Sequence, residues 1–358
     1  MTHLQLAVLC AALDMLALIA YAALGGADFG GGVWDLLARG PQAERQRQAI
    51  AHALGPVWEA NNVWLVFVLV VTWTAFPIVF AALSTALFIP LTLVLVGIIF
   101  RGTAFTFRWE FGGRQWIRKA WARTFSVAST ITPFFLGAAA GAIAGGDIHI
   151  HNNQIIANYW TTWLTPFALS CGAFAVALCS VLAATYLTVE AEQAGDQELM
   201  QTFRVRAIIA GAITALVGAL AAILSISESP LLWKGLIGRA LPLSLGAVLI
   251  GLATAACLLL AYHRAARILV VGETVCILAA WAVAQYPYLV IPDVTIDGAA
   301  TSSNVLALLL ICSLAGMAIL LPSLWYLFRV FKSENAPHPR TTVATFVASL
   351  SSDSSHDA

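Results

Sequence analysis

From residue 63 to residue 100 the chain runs 38 residues without one charged side chain. As a single helix that stretch would be about 57 Å long, almost twice the roughly 30 Å of hydrocarbon in a bilayer, so it has to cross, turn and cross again. A tight hairpin near Phe76-Pro77 is the natural place for the reversal, because proline lacks the N–H that a continuing helix needs. The rest of the chain follows the same pattern. Apolar stretches close to 20 residues long fall at 4–24, 63–80, 81–100, 125–143, 164–187, 207–226, 243–262, 268–287 and 306–328. These predict an all-α polytopic membrane protein of about nine transmembrane helices. With 60% hydrophobic and only 10% charged residues, a large water-soluble domain is excluded. A formal net charge of zero gives no reason to expect nucleic acid as a partner; the lipid bilayer is the expected surroundings.

The charges are few, so their placement carries information. Lys and Arg collect on the cytoplasmic side of membrane proteins. Here the first, third, fifth and seventh loops and the C-terminal end hold 16 of the 18 basic residues, and only Lys234 and Arg239 lie opposite. The N-terminus is therefore expected outside and the C-terminus inside, as an odd number of spans requires. The first basic residue is Arg39, so the opening apolar stretch lacks the positive start of a cleavable signal and reads as the first span. Residues 101–123 mix five further arginines and lysines with Trp109, Trp116 and Trp121, which suits an interfacial segment or a topology anchor. Residues 1–332 form the membrane domain in this reading, and the Ser/Pro/Thr-rich residues 333–358 a disordered tail.

An ionisable group at membrane depth costs at least a few kcal/mol, so each one needs a partner or a task. Asp14, Asp28, Glu59 and Glu273 qualify. Asp28 stands in a glycine-rich stretch, residues 25–32, where glycines allow either a sharp exit of the backbone or close helix contact. Glu59 precedes the long uncharged run beside Asn61 and Asn62, whose amides suit ordered water, and between Trp58 and Trp64, expected as interface anchors. A capped helix start explains Glu59 equally well. Arg101 closes the third apolar stretch. The topology puts Asp28, Glu59 and Arg101 at the cytoplasmic ends of three consecutive helices, where they form one charged cluster suited to taking up protons. Asp14 lies about four turns before Asp28 on a similar face, which leaves open a longer relay or a plain helix–helix hydrogen bond. Glu273 stays undecided. The seven histidines fall in loops, tails or span ends, so no axial haem ligand is expected from this chain. His149, His151 and Asp147 fit a solvated loop better than a metal site, and the six cysteines read as small buried hydrophobes without a CxxC pair.

The most distinctive segments are Gly26-Ala27-Asp28-Phe29-Gly30-Gly31-Gly32, Gly55-Pro56-Val57-Trp58-Glu59-Ala60-Asn61-Asn62-Val63-Trp64-Leu65, Ala75-Phe76-Pro77 and Phe100-Arg101-Gly102-Thr103-Ala104-Phe105-Thr106-Phe107-Arg108, followed by Tyr286-Pro287-Tyr288, Leu321-Pro322 and Arg329-Val330-Phe331. Taken together, these segments resemble subunit II of the cytochrome bd-type quinol oxidases, including the cyanide-insensitive branch. The resemblance implies two four-helix bundles with one peripheral helix in a bacterial inner membrane. It also implies a partner, subunit I, carrying two b-type haems, haem d and the site of quinol oxidation, with O2 reduced to water. This chain would then be a haem-free, proton-delivering half without a catalytic centre of its own, with Asp28, Glu59 and Arg101 as the positions that match and Asn62 and Asp14 as further proton-path candidates from the residues themselves. A small single-span accessory subunit and a structural quinone are left open; ubiquinol is the expected substrate of the complex. Two positions depart from the family pattern: Gly25 and Thr106 stand where many relatives have acids, so no proton path through either carries over. The rival readings are a proton-coupled secondary transporter, which calls for discontinuous helices at mid-membrane, and a non-conducting scaffold.

Overall fold

The computed structural model describes residues 1–54, 58–110, 115–151 and 154–331. The expected tail lies outside these. In chain order the helices are α1 (His3–Leu37), α2 (Ala43–Leu54), α3 (Trp58–Ala75), α4 (Pro77–Ala86), α5 (Phe88–Glu110) and α6 (Gln115–Gly145). A two-stranded ribbon, β1 (His149–His151) with β2 (Gln154–Ile156), leads to α7 (Pro166–Gln193), α8 (Gln197–Glu228), α9 (Pro230–Ile237), α10 (Leu241–Leu259) and α11 (His263–Gln285). A second ribbon, β3 (Tyr288–Val290) with β4 (Val294–Thr295), precedes α12 (Ile296–Ala299) and α13 (Ser303–Phe331). Among the described residues, eight helices are long and apolar enough to cross a membrane, or nine if the bent pair α3–α4 counts as one crossing. The polytopic all-α architecture expected from the apolar stretches is therefore present, with two short ribbons added at the loops.

Two boundaries differ from the sequence expectation. The reversal near Phe76-Pro77 is not a tight hairpin between spans of equal length. The chain bends by 118° between α3 and α4, and α4, only 10 residues long, then leads to α5. The third crossing consequently starts at Phe88 and not at residue 81. Pro77 is the cause, sitting at the first position of α4, where its missing N–H is harmless.

The second difference is larger. α1 does not end near residue 24 but runs 35 residues, about 52 Å, straight through the glycine-rich stretch. Its start is fixed by a capping box, in which Thr2 and Gln5 exchange backbone and side-chain hydrogen bonds. The glycines serve contact. A Cβ on Gly30 would lie 1.8 Å from the Cys179 carbonyl oxygen of α7, and one on Gly32 would lie 2.1 Å from Ser129 Cβ of α6. Both are notches that let α1 lie against two neighbours at once, the usual means of close approach between helices in lipid.

Within residues 1–310 the packing follows chain order. α1 packs on α3 and α6, and α5 on α6; α7 packs on α8 and α11, and α10 on α11. The two groups meet where α7 lies against α1 and α6. One apolar core fills the end that holds Leu6, Cys10, Phe76, Leu87 and Ile148. Another fills the opposite end around Trp34, Leu182, Phe203 and Val270. Residues 311–331 form a separate unit, a continuation of helix α13 with Ile311, Leu314, Ile319 and Trp325 exposed.

Candidate functional site

Along α1, polar groups recur every seven residues: Asp14, Tyr21, Asp28 and Asp35. Seven residues are nearly two turns, so the four share one face, about 10 Å apart and spanning about 31 Å, the thickness of the hydrocarbon. Each finds its surroundings on another helix. Thr72 Oγ1 of α3 donates to Asp14 Oδ2 at 2.8 Å. Asn61 Nδ2, also of α3, donates to Asp28 Oδ2 at 2.6 Å and to the Leu24 carbonyl at 3.2 Å. A bond that short to a carboxylate belongs to the charge-assisted class, worth about 1.5–3 kcal/mol. Both side chains are buried, Asp28 at 5% exposure and Asn61 at 5%.

Arg101 of α5 is the cation of this site. It is 4% exposed, its Cζ lies 4.4 Å from the Phe29 ring centroid and 5.6 Å from that of Phe125, and Asp28, Tyr21 and Cys179 are within its electrostatic reach. Cation–π contacts of this kind contribute about 0.5–2 kcal/mol each when desolvated, which helps a guanidinium remain inside an apolar bundle. Tyr21 stands edge-on to Phe29, with centroids 6.2 Å apart, and its buried hydroxyl has no hydrogen-bond partner among the described residues. An enclosed carboxylate, an amide and a guanidinium can hold and pass a proton and keep a small number of waters ordered. They offer no nucleophile beside a base.

Of the expected site residues, the structure brings Asp28 and Arg101 together, as the topology required. It does not leave them at helix ends, however: α1 continues from 28 to 37 and α5 from 101 to 110, nine residues in each case. The Arg- and Trp-rich sequence after residue 101 continues the helix where an end was expected. Asn61, rather than Asn62, reaches Asp28. Asn62 is half-buried and stands about 100° further round α3. Glu59 and Trp58 open α3, and their side chains lie outside the described residues. Trp64 is buried at 8% exposure. Glu273 belongs to the other helix group, where Gly251 of α10 makes room for its carboxylate. Among the described residues no three metal-ligating side chains gather; His149 pairs instead with Asp293 at 3.0 Å.

The sequence reading missed Asp35, placed in a loop because α1 was expected to end early. It is 3% exposed, accepts a short hydrogen bond from Ser126 Oγ of α6, and lies 3.8 Å from Arg47 Nε of α2. The seven-residue spacing from Asp28 was the signal that could have found it.

Residues 6–331 match the family model described as cytochrome bd terminal oxidase subunit II. Subunit 2 of the Escherichia coli K12 cytochrome bd-I ubiquinol oxidase is 28% identical over 175 residues, 48% of this chain and 45% of that one. A putative cytochrome bd menaquinol oxidase subunit II of Bacillus subtilis is 22% identical over 319 residues, covering 87% of this chain and 91% of the relative. The matched part thus spans about half the length of the E. coli relative and nearly all of the B. subtilis one. The bd oxidase structure from Geobacillus thermodenitrificans superposes with a TM-score of 0.74 at 24% identity, over 92% of this chain and 99% of the matched chain, which shows a shared fold.

Proposed function

Since the chain belongs to the cytochrome bd terminal oxidase subunit II family, we propose that it is the haem-free half of a quinol:O2 oxidoreductase and delivers cytoplasmic protons to its partner. In this reading the partner subunit holds two b-type haems and haem d, oxidises quinol and reduces O2. The present chain contributes no redox group and supports the partner's fold. The described histidines stand at helix or strand ends or in the short helix α2. The basic residues gather at the end of the bundle that holds residues 37–47, 193–206 and 259–267, so that end is assigned to the cytoplasm.

The observation that carries the proton role is the buried Asp28–Asn61 pair beside Arg101. An acid of this kind is costly inside a membrane bundle unless it is used or compensated. A transporter would place its broken helices around a mid-membrane site. The break at Phe76 instead lies far along α3 from Asn61, in the apolar core at the other end.

The test is made in the assembled complex. Glu59→Gln and Asp28→Asn keep shape and hydrogen bonding but remove the titrating group. Each should retain the haem spectrum and slow O2 consumption at least tenfold, equivalent to about 1.4 kcal/mol in the barrier. Glu59→Asp should slow it less. Wild-type turnover in both assembled amide variants would identify a scaffold that conducts nothing.

A further inference from the structure

We propose that Asp35 is the proton-loading group at the cytoplasmic end of α1, feeding Asp28 along the face that the two residues share. The inference rests on the proton-delivering reading above and extends it to a residue outside the sequence motifs. Three observations carry it. Asp35 is a buried carboxylate, 3% exposed, inside a helix that continues only two residues beyond it. It stands one heptad, about 10 Å, from Asp28 on the same face, a separation that one or two waters can bridge.

The third observation is the Ser126 hydroxyl. Its single proton has two acceptors in reach, Asp35 Oδ2 and the Ala122 carbonyl at 2.9 Å. When Asp35 is ionised, Ser126 can donate to it. When Asp35 is protonated, Ser126 can turn its proton to Ala122 and accept from the acid. Both protonation states are then hydrogen-bonded, as a group that loads and unloads a proton requires.

The charged group facing Asp35 from α2 is Arg47, one-third exposed, with Nε 3.8 Å from Oδ1 and Nη2 donating to the Ala38 carbonyl at 3.1 Å. From α8, Arg206 lies over the neighbouring Trp34 ring at 5.4 Å, and from α6 the facing group is the neutral Ser126. Arg47 thus joins buried Asp35 to the surface. The step itself is a proton transfer: a proton from bulk water binds Asp35, leaves for water between Asp35 and Asp28, and Asp35 returns to the ionised state with no change of charge overall.

The experiment compares Asp35→Asn, Asp35→Glu and Glu59→Gln in the holo-complex, with O2 consumption followed from pH 6 to pH 9. Asp35→Asn should assemble with full haem and lose at least fivefold in turnover, the loss growing as protons become scarce. Asp35→Glu should recover most of it, and acetate, as a permeant acid, should restore part of the Asn variant. Wild-type rates in Asp35→Asn while Glu59→Gln is slow would overturn the inference and leave the general reading standing; wild-type rates in both would remove the reading itself. A loss that is equal at every pH and is not recovered by Glu identifies a structural ion pair, and also overturns it. If Asp35→Asn fails to assemble, Ser126→Ala takes its place: it should shift the pH profile at full haem content, and an unchanged profile refutes the relay.

Discussion

The two ends of the bundle use the same side chains in opposite ways. At the end assigned to the cytoplasm, Asp28, Asp35 and Arg101 are buried, each at 5% exposure or less, and held by groups from α3 and α6 and by aromatic rings. At the other end two carboxylates outside the long helices, Asp293 and Asp297, pair with histidines. Asp297 meets His3 at 3.1 Å with side chains 59% and 38% exposed, and Asp293 meets His149 at 3.0 Å. Water screens the second set, and such pairs contribute about 0–1 kcal/mol. The first set has lost its water, so removing either sign leaves the other uncompensated in an apolar interior. Charge at one end fastens loops. Charge at the other is buried and depends on its partners.

The seam against which the buried set is built should be the most sensitive part. Gly30→Val places atoms where the Cys179 carbonyl already stands, 1.8 Å from the added Cβ. The cost should exceed the usual 1–3 kcal/mol of overpacking, and little or no assembled subunit should reach the membrane, as measured by immunoblot and haem content. Normal abundance would show that α1 and α7 can separate. Next comes the cation. Arg101→Leu should destabilise the purified complex by about 3 kcal/mol, because it strips Asp28 of a compensating charge, and adding Asp28→Asn should restore more than half. Failure of the second change to help would mean that the two groups are not coupled. At the far end, Asp293→Asn and Asp297→Asn should each change stability by less than about 1 kcal/mol. A larger loss in thermal unfolding would erase the contrast between the ends.

Much of this was legible from residue types alone. The 38-residue uncharged run required two crossings, and the cost of a carboxylate in lipid picked out Asp14 and Asp28. What the residues did not announce was continuity. The glycine-rich stretch of α1 was compatible with an exit of the backbone or with close packing, and the choice depends on Cys179 and Ser129, which lie 149 and 97 residues from Gly30 and Gly32. Once α1 is allowed to run to Leu37, Asp35 moves from a loop into the bundle. Asn61 and Asn62 were likewise equivalent as sequence, and only the rotation of α3 against α1 separates them. Apolar length reports that a crossing exists; where helices end is decided by tertiary contact.

The corner between α3 and α4 has a consequence for biosynthesis. A helix that stops at Ala75 leaves carbonyls without N–H donors in its last turn, and one of them, that of Ala75, accepts a hydrogen bond from Thr301 N at 2.9 Å. Thr301 is translated 226 residues after Ala75, when all but the final crossing have already been made. Until then the corner stays open, so a ribosome-bound chain truncated before residue 301 should expose position 76 to a membrane-impermeant thiol reagent after Phe76→Cys, whereas the full-length chain, in which Phe76 is 1% exposed, should protect it.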